Sequence, residues 1–323
     1  MRNNEANKDK LYKNGKNTLG VGYYYPNNPI IPNIVGELAD MLDRLDIVYQ
    51  PIVNHAENSI FAYEALSRPQ YQGRLIPPGL WFRTAYESNL SVQADLLAIS
   101  SSIKHFRRTL QGTTTPAALF VNVMPSSVVE KSFREGIEFL FEAGHCRPQE
   151  LVFEIIEYVS YDPSLIAKIF EPLRGVGVRI AVDDVGVGST NLLALVELEP
   201  DFIKVDRSLI QGVSTSSAKQ RLLRYLTQMM ESENSVIAEG VEHRDDLFAI
   251  RESGVSLSQG YYWAPPVTVD DLPLRTVEIE TKREALIKLV DEKGGILTDD
   301  DVVRKSQELD LLITQHCRFQ QRL

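Results

Sequence analysis

Val178-Arg179-Ile180-Ala181-Val182-Asp183-Asp184-Val185-Gly186-Val187-Gly188-Ser189 is the stretch on which the fold turns. Its β-branched run, interrupted by a single Arg, reads as a buried strand. Two adjacent carboxylates stand at its C-terminal end, followed at once by a Gly-x-Gly turn. Like charges repel, and desolvating either one without a partner costs several kcal/mol, roughly. Such a pair either lies in a solvated turn, where Asp and Gly are ordinary residues, or meets a cation. What the other strands end with decides between the two.

Outward from this stretch, strand and helix signals alternate, as in parallel βαβ units. The other strand candidates are Ile47–Val53, Ile60–Leu66, Ala118–Val123, Leu151–Ile156, Phe202–Val205, Ser235–Ala238 and Val255–Gln259. Helical patterns lie between most of them, at Val92–Phe106, Ser164–Leu173 and Ala218–Met230. The link Asn54–Ser59 is too short for a crossover helix, so the first two strands should form an antiparallel hairpin. About eight strands with intervening helices predict an α/β fold, a (β/α)8 TIM-like barrel whose first strand is irregular and antiparallel. The barrel is expected over residues 29–270, preceded by a loosely packed arm over 1–28 that is rich in Asn and Lys. A helical pattern from Asn33 (Ile34, Leu38, Met41, Leu42, Leu45) would cover one end.

After Pro265-Pro266 the strand signals stop, and residues 274–323 read as two helices joined by Gly294-Gly295. Ile279, Leu286, Leu289 and Val290 form one apolar stripe; Val302, Leu309, Leu312, His316 and Phe319 form another. Gly294 suits a helix C′ position, and Thr298 an N-cap followed by acids in the first turn.

The totals set bounds. In 323 residues, 43% hydrophobic and 24% charged, the chain has a globular composition. A net charge of -10 argues against a broad nucleic-acid or membrane-binding surface. Cys146 and Cys317 are far apart and in no metal-ligand spacing, which fits inert thiols in a reducing cytosol. No apolar run approaches membrane-spanning length and the N-terminus is not signal-like, so a cytoplasmic protein is expected.

In a barrel of this kind chemistry gathers where the strands end. Here those ends carry Glu64, Asn122, Glu154, Asp183 with Asp184, Lys204 with Asp206, Glu239 and Gln259. Each residue alone could be a turn former or a surface charge. Their recurrence at successive strand ends favours one mouth built around cations. Oxygen-only donors suit Mg²⁺ or Mn²⁺, and no His or Cys cluster argues for zinc. Adjacent aspartates can bridge two ions roughly 4 Å apart, an arrangement used in phosphoryl chemistry. A lysine among them can orient water or neutralise developing charge. His55, His105, His145 and His243 are scattered and read as structural, Trp81 as core.

Tyr63-Glu64-Ala65-Leu66-Ser67-Arg68 is similar to the signature of the EAL-domain cyclic-di-GMP phosphodiesterases. The resemblance continues through Tyr49-Gln50-Pro51, Val121-Asn122-Val123, Glu154-Ile155-Ile156-Glu157, Asp183-Asp184, Lys204-Val205-Asp206, Glu239-Gly240-Val241-Glu242 and Gln259-Gly260-Tyr261. It implies that Glu64, Asn122, Glu154, Asp183 and Asp184 hold two Mg²⁺ or Mn²⁺ ions, with Glu239 completing the metal and water shell. It further implies Lys204 on the attacking water with Asp206 beside it, and Arg68 on a substrate phosphate. Gln50 and Gln259 would face the dinucleotide or the water network, and Glu157 would steady the loop after the aspartates. That loop departs from the family's Asp-Asp-Phe-Gly-Thr-Gly-Tyr-Ser: Val185, Val187 and Ser189 stand where Phe, Thr and Tyr are common. In the family the same loop shapes the second metal site and a homodimer contact. Gly186-x-Gly188 is no nucleotide fingerprint, because the third glycine is absent.

Ser306-Gln307-Glu308-Leu309-Asp310 resembles the signature of the stage-zero sporulation protein E-like aspartyl-phosphate phosphatases, which are also two-helix hairpins. That likeness implies a phosphorylated sporulation response regulator as partner, met by Ser306, Gln307 and Asp310. A dimerisation hairpin is the plainer alternative. For the whole chain the expected function is two-metal hydrolysis of cyclic di-GMP to linear pGpG. The alternative is a weakly active or inactive cyclic-di-GMP sensor that signals through the tail.

Overall fold

The computed structural model describes residues 45–55, 57, 59–71, 73–110, 118–156, 161–187, 192–230, 232, 234–269, 276–294 and 296–320. The expected arm, the helix from Asn33, Glu157 and the loop 188–191 lie outside them. Nine strands run β1 Leu45–Asn54, β2 Ser59–Tyr71, β3 Arg74–Leu75, β4 Ala118–Val123, β5 Leu151–Ile155, β6 Arg179–Val185, β7 Phe202–Val205, β8 Val236–Ala238 and β9 Leu257–Ser258. From β2 through β4 to β9 each strand pairs parallel to the next, and β1 closes the ring by antiparallel pairing with both β2 and β9. β3 pairs only with the far end of β2 and stands outside the eight-stranded barrel. The short Asn54–Ser59 link leaves no length for a crossover, so β1 must run against its neighbour.

Side chains alternate between the two faces of a strand. One parity packs outward against the helices, as where Phe153 meets Phe133 and Phe170 at ring separations of 6.0 and 5.9 Å. The other parity fills the barrel with Ile52, Ala62, Ala118, Phe120, Val152, Ala181, Phe202, Ile237 and Leu257. Phe120 and Phe202 meet at a tilt of 56° with ring centroids 5.2 Å apart within this plug, and the Arg179 guanidinium lies 5.4 Å from the Phe202 ring. Small residues on β2, β4 and β6 make room for the aromatic rings of β4 and β7. The plug is therefore a packed floor rather than a channel.

Several boundaries differ from the sequence reading. β6 extends past Val182 to Val185, so Asp183 and Asp184 are strand residues, with a register irregularity against β7 at that point. A helix at Pro78–Glu87, started by Pro78 at its first position and burying Trp81, Phe82 and Ala85, joins the expected ones. The tail forms helices Thr276–Glu292 and Asp300–Gln320, which pack on one another. Gly294, with φ of 65°, ends the first as expected. The second is capped by Asp299 and not by Thr298: the Asp299 carboxylate accepts the Asp301 N–H at 3.0 Å and is fixed by Lys293 at 3.0 Å. A carboxylate tied to a lysine holds that position better than a free hydroxyl.

Candidate metal centre

Two residues beyond the last inward apolar residue of each parallel strand, toward the C-terminal end, the same face turns polar. Ala62 leads to Glu64, Phe120 to Asn122, Val152 to Glu154, Ala181 to Asp183, Phe202 to Lys204, Ile237 to Glu239 and Leu257 to Gln259. On β1, which runs the other way, the equivalent step goes backward from Ile52 to Gln50. All eight barrel strands thus place one polar side chain in a layer directly above an apolar floor.

Lys204 is the hub of that layer. Its ammonium, 1% exposed, lies 2.8 Å from Glu239 Oε1, 3.0 Å from Glu154 Oε1, and 3.3 Å from both Glu64 Oε1 and Asp183 Oδ1. Burial pulls an ammonium pKa down, but the four carboxylates reverse this and hold Lys204 well above its ordinary range. Gln259 Nε2 donates to Glu64 Oε2 at 2.5 Å and to Gln50 Oε1 at 2.9 Å, while Gln50 Nε2 donates to Ala264 O at 2.9 Å. Both amides are therefore oriented by the mouth itself.

One positive charge against four carboxylates leaves the layer short of cations. Glu64 stays ionised: burial pushes it up, yet Lys204 and the Gln259 donor carry it below the usual range. Glu154 rises well above the usual range through burial and the neighbouring Glu64 charge, and Glu239 is pushed up to about 8, mainly by burial. Asp184 is pushed up to about 6 by partial burial and the charges of Asp183 and Asp206. Because Asp184 as a whole residue is exposed, water screens part of that effect. Glu154 Oε1 and Asp183 Oδ1 are met by the Lys204 ammonium at 3.0 and 3.3 Å, while Glu154 Oε2 and Gln259 Oε1 accept no hydrogen bond among the described residues. A buried, unpaired carboxylate oxygen such as Glu154 Oε2 is what an oxophilic divalent cation satisfies. Donor atoms of Asp183, Asp184 and Glu239 approach within 4.8 Å of one another, which is compatible with shared ligation. The residues present fit a divalent-cation site.

Asp184 has φ of 54°, a left-handed conformation that costs a non-glycine residue on the order of 1 kcal/mol. The turn turns the second aspartate away from the strand's alternation, so Asp183 and Asp184 can serve one site from consecutive positions. Asp206 has a local task as well, accepting the Ser208 N–H at 2.8 Å as the N-cap of helix Arg207–Ile210. Arg68 is half-buried and donates to Ser67 O at 3.0 Å. Ser306, Gln307 and Asp310 lie together on the second tail helix, far along the chain from the barrel, with Gln307 and Asp310 exposed.

Among the described residues no histidine joins the group of Asp183, Asp184 and Glu239. His55 is buried, with Nε2 2.6 Å from Val255 O and Nδ1 3.0 Å from Ser258 Oγ, a packing role. Burial pushes the Cys146 thiol up to about 12, which makes it inert. The sequence reading passed over Asp95, fully buried on helix Ser91–Leu110, whose Oδ2 accepts the Met124 N–H at 2.9 Å just after β4 releases Asn122. Burial pushes Asp95 up to about 7. Its one visible signal is a lone acid in an otherwise apolar helical stripe.

A pH dependence follows from Glu239. Its carboxyl titrates near 8 in the folded chain and near the ordinary value of 4.5 when unfolded. Between those values the folded state binds more protons, so stability falls as pH rises, by roughly 1 kcal/mol per pH unit at most. Thermal melts in a chelator should give a lower Tm at pH 8.5 than at pH 6, and Mn²⁺ should raise Tm most at pH 8.5. A flat or opposite trend in the chelator would contradict this reading of the mouth.

Comparisons with known proteins agree with this geometry. The EAL domain model matches residues 36–266, and the model described as Spo0E like sporulation regulatory protein matches residues 276–318. The chain is 28% identical over 242 residues to the Escherichia coli K12 protein named "Probable cyclic di-GMP phosphodiesterase PdeA", covering 74% of this chain and 33% of that one. It is 25% identical over 228 residues to "Cyclic di-GMP phosphodiesterase PdeA" of Borreliella burgdorferi, covering 69% and 34%. The chain thus spans about a third of the length of these two curated relatives. Among solved structures it superposes on the PaMucR phosphodiesterase in complex with c-di-GMP, with a TM-score of 0.65 and 25% identity over 74% of this chain and 99% of that one. It also superposes on the Klebsiella pneumoniae BlrP1 manganese/cy-diGMP complex, with a TM-score of 0.60 and 25% identity over 70% and 56%. A barrel with this closed order of strands, this ring of strand-end carboxylates and a family match over residues 36–266 belongs to the EAL domain family.

Proposed function

We propose that the barrel, residues 29–270, hydrolyses one phosphodiester of cyclic di-GMP to give linear pGpG. The observation that carries this reading is the ring of four carboxylates around Lys204 above a sealed apolar floor. Two Mg²⁺ or Mn²⁺ ions would be held by Glu64, Asn122, Glu154, Asp183, Asp184 and Glu239. Bound there, such ions neutralise phosphate charge and acidify water. The chain's own groups do the rest. Lys204 keeps a fixed positive charge at the reacting centre, where negative charge develops on the phosphoryl oxygens. Arg68 at the rim grips a phosphate, and Gln50 and Gln259 orient the dinucleotide or its waters. Asp206 supports Lys204 by fixing the chain just after it, and Glu157 steadies the loop that follows the aspartates.

The test is a turnover assay on the purified chain with Mg²⁺ or Mn²⁺. The expected product is linear pGpG, with no turnover in a chelator. Tight binding of cyclic di-GMP without turnover would favour the sensor reading, which rests on Val185, Val187 and Ser189 replacing Phe, Thr and Tyr. The hairpin, residues 274–323, is proposed to meet a phosphorylated sporulation response regulator through Ser306, Gln307 and Asp310; its match to the sporulation regulatory model supports this. An Asp310→Ala chain should speed loss of the regulator's aspartyl phosphate less than the unaltered chain does. A homodimer and a cytoplasmic location complete the proposal. Among the described residues no helix is long and apolar enough to cross a membrane.

A further inference from the structure

The segment Asp206–Ser216 belongs to no barrel strand, yet it touches both turns that follow the cation-site carboxylates. Its short helix Arg207–Ile210 presses Leu209 against Gly186, where a Cβ would lie 2.1 Å from Leu209 Cδ1. It presses Arg207 against Gly240, where a Cβ would lie 2.5 Å from Arg207 Cβ. Both glycines have positive φ, of 108° and 63°. Gly186 follows Asp183-Asp184 by two residues, and Gly240 directly follows Glu239. Backbone bonds tie the same parts: the Asp206 N–H donates to Val185 O at 3.2 Å, and the Glu239 N–H to Val205 O at 3.0 Å. The segment is a wedge seated between the two turns: Gly240 has no room for a β-carbon against Arg207 Cβ, and Gly186 is held to glycine by its φ of 108°.

The wedge is held from outside the site. Asp246, in the first turn of helix Arg244–Glu252 and 4% exposed, accepts three hydrogen bonds from it. Oδ2 takes the Gly212 N–H at 3.0 Å, and Oδ1 takes the Ser214 N–H at 2.9 Å and the Ser214 hydroxyl at 2.7 Å. Lys219, from helix Ser217–Met229, donates to Ser208 O and Gln211 O at 2.7 Å each. Charge-assisted hydrogen bonds are roughly twice as strong as neutral ones, so a carboxylate that satisfies three donors fixes this stretch of loop.

We propose that Asp246 is a positioning residue for the cation site: it holds the wedge, and the wedge sets the turns that aim Asp183, Asp184 and Glu239. The cation part of this claim rests on the reading of the mouth given above; the positioning part does not. Without Asp246 the N–H groups of Gly212 and Ser214 lose their acceptor, the loop shifts toward water, and Leu209 withdraws from Gly186. Groups that orient metal ligands without touching the metal typically govern about 10–100-fold in affinity.

Full-length Asp246→Ala and Asp246→Asn chains would be compared with the unaltered chain by Mn²⁺ calorimetry and by hydrogen exchange at single amides. The Val187 N–H, bonded to Asp184 O, and the Glu239 N–H report the two turns; the Leu119 and Val121 amides, inside β4 and not paired with β6 or β8, are controls. Asp246→Ala should weaken Mn²⁺ binding about 10–100-fold and speed exchange at Val187 and Glu239 but not at the controls. Asp246→Asn, which keeps one acceptor oxygen, should fall between. A merely structural role would lower Tm and leave the Mn²⁺ dissociation constant of the folded protein unchanged, and that result overturns the proposal. If the unaltered chain binds no Mn²⁺, the cation reading fails; exchange then decides positioning alone, with unchanged rates at Val187 and Glu239 overturning it. Should Asp246→Ala not fold, Lys219→Met releases the wedge from its other side, and the same two readouts apply.

Discussion

Replacing Lys204 with methionine is expected to destabilise the cation-free protein at pH 8 by about 3–5 kcal/mol, the cost of removing one partner from a buried ion pair. For a barrel of this size that is on the order of a 10 °C fall in Tm. Methionine fills much of the lysine stem's volume, so the loss is electrostatic rather than a cavity. Four carboxylates would then share a layer in which the described residues offer no other cation within 4 Å. Acidification should recover part of the loss, because Glu154 and Glu239, already raised by burial, would protonate still more readily. Folded-state carboxyl values above the unfolded ones mean stability regained as pH falls. A Tm within about 2 °C of the unaltered chain at pH 8 in a chelator would show that the ammonium is not the keystone of the mouth.

Asp183→Asn should act in the opposite direction on stability and far more severely on turnover. The amide is nearly isosteric and removes one negative charge from a layer with too many, so the cation-free chain should melt at the same temperature or slightly higher. Turnover of cyclic di-GMP should fall by ~10²–10³-fold, the scale seen when one key electrostatic group is lost from a preorganised site. Mn²⁺ affinity should fall with it. Retained turnover would remove Asp183 from the ligand set and, with it, the two-ion reading. The two substitutions together separate charge balance from catalysis: Lys204→Met harms both, Asp183→Asn only the second.

The wedge meets the loop after the aspartates through the Val185 carbonyl and through Gly186. Val185 is buried at the end of β6, and its carbonyl accepts the Asp206 N–H at 3.2 Å. Gly186, whose φ of 108° favours glycine, is kept, and Val187 is half-exposed. Of the changed positions the structure describes, Val185 ties the turn to the wedge through its backbone carbonyl, which any residue supplies.

Strand identity and side-chain parity were legible in the chain itself. An inward apolar residue followed two places later by a polar one, on strand after strand, is a local pattern, and period-two alternation is enforced by the backbone. So were the antiparallel start, dictated by a short link, and the glycine that ends the first tail helix. The helix cap in the tail was misplaced by one residue because Thr298 and Asp299 are both good caps, and only the neighbouring Lys293 chooses between them. What tertiary structure alone decided is the interior of the mouth. Glu64 and Lys204 are 140 positions apart, and no local rule says that four carboxylates converge on one ammonium rather than facing water. The raised carboxyls of Glu154 and Glu239, the left-handed turn at Asp184 and the wedge held by Asp246 exist only once the barrel closes. Closure removes the water that would otherwise screen those charges, and their energies are then set by neighbours that the chain order does not disclose.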